Sequence, residues 1–412
     1  MQNMKRNMFT NTNPVTSPHR IGLYLAVVQF LFTLTWTVYV IFLPKLAAQA
    51  GIPKQWVVFI LLLDQVVFMV MDYAMGVAAD RVSRTLGKLG YAILGITLAS
   101  CLAFLLLPFA APQGAPWLLL LLTLLWAVSS SALRAPPLVL VGKYAAEPAV
   151  PWLSALSLFG LGLAAAISPY LTIVLRDLDP RLPFAASSIA LAAATIGIIW
   201  AERALAKEAP AAAPAKAADR ATRPVIWFFA AILLVGLGFQ IHFSLNSASL
   251  YLRHAKPDQL QYLMPVFWIG FNVLMLPASI ATRRYGGIAV ASAGAIVAAL
   301  ASFAALYAQT LNAVIALQFI AGGGWGCVLM SVVAAAIAVG HTGKEGRLTG
   351  GLFSLLALAA FLRILVLAVE LNKDTQFAAL LPWLPVTAWA GGGLILLVLV
   401  KSYRQAPAAA TV

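Results

Sequence analysis

Twelve apolar runs, each long enough to cross a lipid bilayer as a helix, constrain the fold of this chain more than any other feature. Helices of about 20 apolar residues span the hydrocarbon core and satisfy their own backbone hydrogen bonds there. A transmembrane barrel would instead show alternating segments of about 10 residues. The sequence therefore predicts an all-α membrane protein. We number the runs spans 1 to 12, near residues 21–43, 55–79, 90–110, 117–142, 152–175, 183–200, 224–248, 260–281, 288–308, 311–337, 348–371 and 379–400.

The charges predict the orientation of these spans. Only 10% of the 412 residues are charged and 62% are hydrophobic, whereas a soluble domain is about 25% charged. With the N-terminus inside, eighteen Lys and Arg residues fall on the cytoplasmic side and seven on the other, while Arg134 and Arg363 lie inside spans. This positive-inside asymmetry predicts that both termini are cytoplasmic, in a multi-pass protein of the cell (inner) membrane. It also explains the net charge of +14 by topology and attraction to the lipid bilayer, so we expect no nucleic-acid partner.

One polar stretch interrupts the apolar pattern. Residues 201–223 combine Ala and Pro tracts with charges, which is typical of a linker. We therefore expect an N-terminal six-helix bundle in 1–200, a cytoplasmic linker in 201–223 and a C-terminal six-helix bundle in 224–412. A weak internal repeat supports this division, because the basic turn after span 2 can be laid on Arg283-Arg284 after span 8.

The end of span 2 carries the most specific motif, Gly76-x-x-x-Asp80-Arg81, followed by Arg84. With the acidic span before it, the motif resembles the second helix and first cytoplasmic loop of the major facilitator superfamily (MFS). The resemblance implies the MFS fold, in which twelve transmembrane helices form two six-helix bundles with substrate bound between them. It also implies that Gly76, Asp80, Arg81 and Arg84 form a conformational gate without touching substrate. The alternative is ordinary positive-inside topology with a helix-end hydrogen bond.

Three stretches further resemble the glycoside–pentoside–hexuronide cation symporters, the family of melibiose permease. They are Asp72-x-x-x-Gly76-x-x-x-Asp80-Arg81, Arg134-Ala135-Pro136-Pro137 and Thr342-Gly343-Lys344-Glu345-Gly346. The chain departs from that family at Phe68, where a second carboxylate is usual, and at Arg134, where an Asn or a carboxylate is usual. A guanidinium in place of an oxygen ligand would repel a cation. We therefore expect a proton, rather than sodium, as the coupling ion.

Two carboxylates inside span 2, Asp64 and Asp72, are candidate ion-coupling groups, since a charge within the bilayer is costly and usually functional. Asp72 and Arg134 lie at equal depth in their spans, so we expect an ion pair between them. That pair is either a structural salt bridge or the centre of coupling, with Arg134 alternating between Asp72 and an anionic substrate group. Asp64 is either a relay carboxylate near the outer mouth or a solvated residue of an open vestibule.

Polar and aromatic residues inside other spans are candidates for the substrate site. Helix-to-helix hydrogen bonds explain the polar groups equally well, and Arg363 could instead pair locally with Glu370. The substrate-binding candidates are Arg134, Arg363, Gln29, Trp36, Gln240, His242, Asn272, Gln318 and Trp325.

The sequence thus predicts a secondary active transporter that moves a small organic, anionic or polar solute by alternating access, coupled to protons. The alternatives are a proton-antiporting exporter of amphiphilic compounds and a transport-inactive membrane sensor. Cys101 and Cys327 lie in apolar runs and indicate neither a disulfide nor a metal site. No catalytic constellation or nucleotide-binding motif is present, so we expect no enzyme activity, no metal and no cofactor.

Overall fold

The computed structural model describes residues 18–85, 88–145, 147–208, 222–340 and 343–404. Within these ranges the chain is helical apart from short connections, and twelve segments are long and apolar enough to cross a membrane. Large apolar side chains such as Leu23, Val70 and Ile280 are exposed, as expected of helix faces that contact lipid. In order, the spans are Pro18–Gln49, Val57–Thr85, Leu89–Ala110, Pro116–Ser130 with Pro136–Tyr144, Val150–Leu175, Arg181–Ile196 with Ile198–Glu208, Thr222–Ile241 with Ser247–Leu252, Pro265–Tyr285, Gly287–Leu306, Leu311–Gly340, Glu345–Ala368 and Leu384–Arg404.

Span 4 is interrupted where the sequence predicts one continuous helix. A short 3₁₀ turn, Ser131–Leu133, separates its two helices. Pro136 and Pro137 begin the second helix, and proline has no backbone N–H with which to continue the hydrogen-bond ladder of the first. The interruption places Arg134 at a bend, with φ −96° and ψ −79°.

Span 7 contains a π-helical turn, His242–Asn246, between its two helices. The hydroxyl of Ser247 donates to the carbonyl of His242 at 2.9 Å, so the wide turn is closed by a side chain as well as by backbone. Turns of this kind are frequent at functional sites.

The helix contacts repeat with an offset of six spans. Span 1 packs on spans 5 and 6, and span 7 packs on spans 11 and 12. Spans 3 and 6 pack together, as do spans 9 and 12, and span 10 packs on spans 8 and 9 as span 4 does on spans 2 and 3. The helices thus form two similar bundles of six.

The two bundles meet along spans 2 and 11 and along spans 5 and 8. We call the side of the molecule where span 6 ends and span 7 begins the linker face. On this face, a Cβ on Gly76 would collide with the carbonyl of Gly346, so spans 2 and 11 approach each other as closely as backbones allow. Ser354 of span 11 donates to the carbonyl of Met69 at 2.5 Å, which extends the contact toward the middle of span 2.

The predicted linker falls partly outside the described residues, which omit 209–221. Span 6 continues as a helix to Glu208, beyond the apolar run that predicted it. The division into 1–200, 201–223 and 224–412 remains a prediction, as does the cytoplasmic position of the termini.

Candidate functional site

Span 2 carries its functional candidates at intervals of four residues. Asp64, Phe68, Asp72, Gly76 and Asp80 follow one another along the helix Val57–Thr85. Each step of four residues rises about 6 Å and rotates about 40° around the helix axis. The five residues therefore form a slowly turning stripe that runs from the half of span 2 beside the cavity described below to the linker face.

Asp72 and Arg134 form the predicted ion pair. A guanidinium nitrogen of Arg134 donates to Asp72 Oδ2 at 2.8 Å. The Asp72 side chain is fully buried, whereas 20% of the Arg134 side chain is exposed, so Arg134 stands between the carboxylate and the adjoining cavity. The guanidinium also lies 3.8 Å from the centre of the Phe68 ring, a cation–π contact that fixes its plane.

The second carboxylate oxygen of Asp72 has no charged donor among the described residues. Ser131 lies beside the Asp72 carboxylate, and its hydroxyl and Asp72 Oδ1 are both buried. A neutral hydroxyl stabilises a buried carboxylate oxygen less than a charged donor does. Asp72 is therefore an ion-paired group whose second oxygen can accept a proton.

A cavity of about 580 Å³ lies between the two bundles, within the range of small-molecule sites. Spans 1, 2, 4 and 5 line one side and spans 7, 8, 10 and 11 the other, so the lining also repeats with an offset of six. The contact of span 2 with span 11 bounds the cavity toward the linker face, because Phe68, the lining residue of span 2 nearest that face, packs against Ala357 of span 11. Its polar lining residues are Gln29, Thr33, Thr37, Gln65, Ser130, Arg134, Ser168, Thr172, Gln240 and Arg363.

The linker face is closed by a polar contact between the bundles as well as by close packing. The Asp80 carboxylate accepts the backbone N–H of Gly346 at 2.7 Å and that of Arg347 at 2.9 Å. These N–H groups belong to the first turn of span 11, where they have no partner within the helix and where the helix dipole favours a negative charge. Arg347 in turn donates from Nε to the hydroxyl of Tyr73 at 2.9 Å.

A family model described as "Major Facilitator Superfamily" matches residues 25–364, which is most of the chain. The chain belongs to the major facilitator superfamily. It is therefore a multi-pass membrane transporter and not an enzyme. No curated protein matches its sequence.

Solved structures of MFS transporters share the fold. The human organic anion transporter MFSD10 (TETRAN) is 13% identical, with a TM-score of 0.67 over 93% of this chain and 99% of that one. The E. coli fucose:proton symporter is also 13% identical, with a TM-score of 0.65 over 95% of this chain and 100% of that one. A bacterial homologue of the iron transporter ferroportin, in an outward-facing state, is 14% identical, with a TM-score of 0.69 over 93% and 100%. At these identities the likeness concerns the fold alone.

Within this MFS fold, six of the nine substrate-binding candidates line the cavity. Gln29 and Trp36 come from span 1, Arg134 from span 4, Gln240 from span 7, Trp325 from span 10 and Arg363 from span 11. Three others, His242, Asn272 and Gln318, are buried and are not among the lining residues.

His242 and Gln318 bind each other inside the C-terminal bundle. His242 Nε2 lies 3.0 Å from Gln318 Oε1, and its Nδ1 lies 3.1 Å from the hydroxyl of Ser302. Ser247 also donates to Gln318 Oε1, at 3.3 Å. Both side chains therefore make hydrogen bonds between helices, which is the alternative to substrate binding given in the sequence analysis.

Asn272 lies at the contact between spans 5 and 8. Its Oδ1 would stand 2.5 Å from a Cβ on Gly162, and no hydrogen-bond donor reaches that oxygen within the described residues. The position is an interface between the bundles rather than a wall of the cavity.

Asp64 is enclosed by the N-terminal bundle. It is 1% exposed, and Tyr39 donates its hydroxyl to Asp64 Oδ2 at 2.7 Å. The alternative of a solvated residue in an open vestibule is therefore wrong, because Tyr39 and the packed aromatic rings around it exclude water. Asp64 is not among the residues that line the cavity, whereas the next residue of the helix, Gln65, is.

The remaining motif residues lie at the linker face. Arg81 follows Asp80 on span 2 and is exposed, and the helix continues through Arg84 to Thr85. The third stretch that resembles the symporters ends at Gly346 and so contributes one of the two N–H groups that Asp80 accepts; the other belongs to Arg347, the next residue. The first residue of that stretch, Thr342, lies outside the described residues.

Several lining residues were not identified from the sequence. Gln65, Phe68, Trp126 and Ser130 face the cavity. A signal for Gln65 and Trp126 existed, because an amide and an indole in mid-span depart from the usual position of such groups at the membrane interface. Phe68 and Ser130 carry no such signal, since apolar and small residues are ordinary in a membrane helix.

Proposed function

We propose that this MFS protein is a proton-coupled secondary active transporter, which moves a small organic solute with an anionic or polar group by alternating access. It works in the cell (inner) membrane with both termini cytoplasmic. Bundles 1–200 and 224–412 move about the central cavity, joined by the linker 201–223. The observation that carries the proposal is the Asp72–Arg134 pair, a proton-accepting group held directly behind a solute-facing cation.

The first step is an exchange of partners at Arg134. An anionic group of the solute enters the cavity and binds the exposed part of the guanidinium, which is planar, permanently charged and suited to bidentate contacts. Leaving Asp72 ionised and unpaired at full burial would be strongly unfavourable, on the order of 3–5 kcal/mol. Asp72 therefore takes up a proton as Arg134 turns to the solute, and proton and solute are bound together.

Asp64 serves as a relay for the proton. It lies eight residues before Asp72 on the same helix, about 12 Å along the axis. Its carboxyl accepts the hydroxyl of Tyr39, and the next residue of the helix, Gln65, lines the cavity.

The second step opens the linker face. Asp80 leaves the first turn of span 11, and the glycine contact of Gly76 with Gly346 separates, so that spans 2 and 11 part. With the termini inside, the closed linker face is the cytoplasmic gate. The arrangement described here then corresponds to the state that loads from outside.

Asp72→Asn tests the coupling. A panel of carboxylates, sugars, phosphates and cationic compounds is first screened for thermal stabilisation of the purified protein, since ligand binding raises apparent stability. Uptake of the best solute is then measured in proteoliposomes with and without an imposed pH gradient. We expect the gradient to accelerate uptake by the wild type and to have no effect in Asp72→Asn.

The matched control is Asp177→Asn, which neutralises an exposed carboxylate just after span 5 that is not among the residues lining the cavity. This variant should respond to the gradient as the wild type does. Gradient-driven uptake that persists in Asp72→Asn would refute the assigned role of Asp72.

The aromatic lining of the cavity also favours a second candidate, a proton-antiporting exporter of amphiphilic compounds. Aromatic faces bind apolar and cationic compounds without needing Arg134. Arg134→Ala separates the two functions. Loss of anion transport with efflux of a cationic dye intact would favour the exporter, whereas the preferred function predicts no dye efflux in either protein.

A further inference from the structure

Arg363 is a cation on the cavity wall without a counter-charge. It lies on span 11, in the C-terminal bundle, and lines the cavity that Arg134 lines from the other bundle. Within the described residues Arg363 makes no hydrogen bond or ion pair, and its Nε is buried without a partner. The local ion pair of Arg363 with Glu370 that the sequence allows does not form, because Glu370 instead pairs with Lys373 at 2.6 Å.

The charges of the lining therefore do not cancel. Arg134 and Arg363 are the two charged residues that line the cavity, and the described lining includes no carboxylate. Asp72 neutralises Arg134, so one positive charge is left over, and it sits on Arg363. A partly buried guanidinium with unsatisfied donors is unfavourable until an anion binds it.

The walls around this charge are aromatic. Nine aromatic rings line the cavity, four from the N-terminal bundle and five from the C-terminal one. Trp36 stacks on Trp126 with ring centres 6.0 Å apart, and Phe239 stacks on Trp325 at 4.6 Å with an interplanar angle of 3°. Such flat surfaces on opposite walls suit a planar apolar body.

We propose that Arg363 anchors the acidic group of the solute and that the solute is a small aromatic monoanion. This inference rests on the proposed function and names its substrate class. The acidic group binds the Arg363 guanidinium in a bidentate way and accepts a further hydrogen bond from Arg134 once that residue leaves Asp72. The ring lies between the aromatic walls of the two bundles. One negative charge on the solute cancels the one excess positive charge that the cavity carries while Asp72 is ionised and paired with Arg134.

The test measures affinity for a matched set of probes by thermal shift and by scintillation proximity with radiolabelled 2-naphthoate. The set contains 2-naphthoate, its neutral amide, the cation 2-naphthylmethylamine, and acetate as an acid without a ring. Wild type should bind 2-naphthoate at least tenfold more tightly than the other three. Arg363→Gln should weaken 2-naphthoate binding by about 10- to 100-fold, the loss expected when charge-assisted hydrogen bonds are removed.

Two variants separate binding from folding. Arg363→Lys keeps the charge and should retain most of the affinity, while losing part of it with the bidentate geometry. Arg176→Gln removes an exposed cation at the end of span 5 and should bind 2-naphthoate as the wild type does. Wild-type affinity in Arg363→Gln, no binding of 2-naphthoate at millimolar concentration, or equal binding of the amide would overturn the assignment to an aromatic anion.

Failure of this inference is distinguishable from failure of the proposed function. If the pH gradient drives uptake of a different solute and Asp72→Asn abolishes the effect, the coupling stands and only the substrate class is wrong. If 2-naphthoate binds through Arg363 but its uptake ignores the gradient, the substrate class stands and the proton coupling is wrong.

Discussion

Two buried carboxylates of this transporter each accept backbone N–H groups from the first turn of a helix, but the two helices lie in different bundles. Asp80 accepts two N–H groups of the first turn of span 11, which belongs to the other bundle. Glu202 accepts the N–H groups of Leu89 and Gly90, at 3.0 and 2.9 Å, in the first turn of span 3 of its own bundle. Each carboxylate stabilises a helix N-terminus, but of these two only Asp80 makes its contact across the two bundles.

At the residue scale, Asp80→Asn should shift the protein toward a state that is open at the linker face. The substitution removes the negative charge and leaves the amide able to accept one N–H in place of two. The lost charge-assisted bond is worth about 1.5 kcal/mol or more, roughly a tenfold change in the equilibrium. Spin labels at Lys207 and Lys344, both exposed on this face, measure the opening by double electron–electron resonance, with Cys101 and Cys327 replaced by Ala.

Glu202→Gln is the control for this prediction. It should lower the melting temperature, because span 3 loses part of its cap, and leave the distance between the labels unchanged. An unchanged label distance in Asp80→Asn would contradict the role of the Asp80 contact in holding the linker face closed.

The sequence predicts contacts that depend on charge and on depth in the membrane better than it predicts the direction in which a side chain points. Asp72 and Arg134 lie at equal depth and do pair. His242 and Gln318 have the same polarity as Gln29 and Gln240, yet only the latter two face the cavity. A polar side chain in a membrane helix lowers its free energy equally well by binding a neighbouring helix or by facing water, so polarity alone does not give its direction.

At the scale of elements, span 2 joins Asp72, the proposed proton-binding residue, to the contact with span 11 that we propose as the gate. Asp72 and Gly76 occupy successive turns, and the carbonyl of Asp72 already lies against Gly350 of span 11. A change of partner at Asp72 therefore acts on the same stretch of helix that packs against span 11. One helical turn, from Asp72 to Gly76, is therefore enough to connect the proposed proton site with the contact between spans 2 and 11.

Gly76→Ala tests this contact. Its Cβ would collide with the Gly346 carbonyl, so spans 2 and 11 cannot close and solute transport should fall to background while the protein still folds. Each bundle keeps its own core, so size-exclusion chromatography should give a normal peak. Gly95→Ala is the matched control, since nothing lies within 4 Å of the added Cβ, and it should transport normally. Wild-type transport by Gly76→Ala would contradict the role of close packing in the gate.

Apolar runs predicted all twelve spans, because their length is fixed by the bilayer. The interruptions inside spans 4 and 7 were not predicted. The sequence contains prolines in span 4, but a proline alone does not predict a break, because Pro44, Pro108 and Pro169 lie within continuous helices of the same protein. Whether a proline breaks a membrane helix depends on whether neighbouring helices satisfy the freed carbonyls, which is a tertiary property.

At the scale of the whole molecule, the described arrangement is closed at the linker face and holds a positively charged, aromatic cavity between two similar bundles. The polar contact at the linker face is asymmetric between the bundles. Span 2 carries Asp80 in its last turns, whereas the corresponding position of span 8 is Ala281, and the next residue, Thr282, binds Ser331 within its own bundle at 2.8 Å. Asp80 thus joins spans 2 and 11 through its carboxylate, while spans 5 and 8 pack through residues such as Gly162 and Phe271.

Proton uptake on solute binding tests the central claim most directly. Binding of the tightest solute from the screen is measured by isothermal titration calorimetry, at one pH, in buffers of different ionisation enthalpy. The dependence of the observed enthalpy on the buffer gives the number of protons exchanged. We predict net proton uptake by the wild type and none by Asp72→Asn; equal uptake by both proteins, or none by either, would contradict an account in which Arg134 leaves Asp72 for the solute.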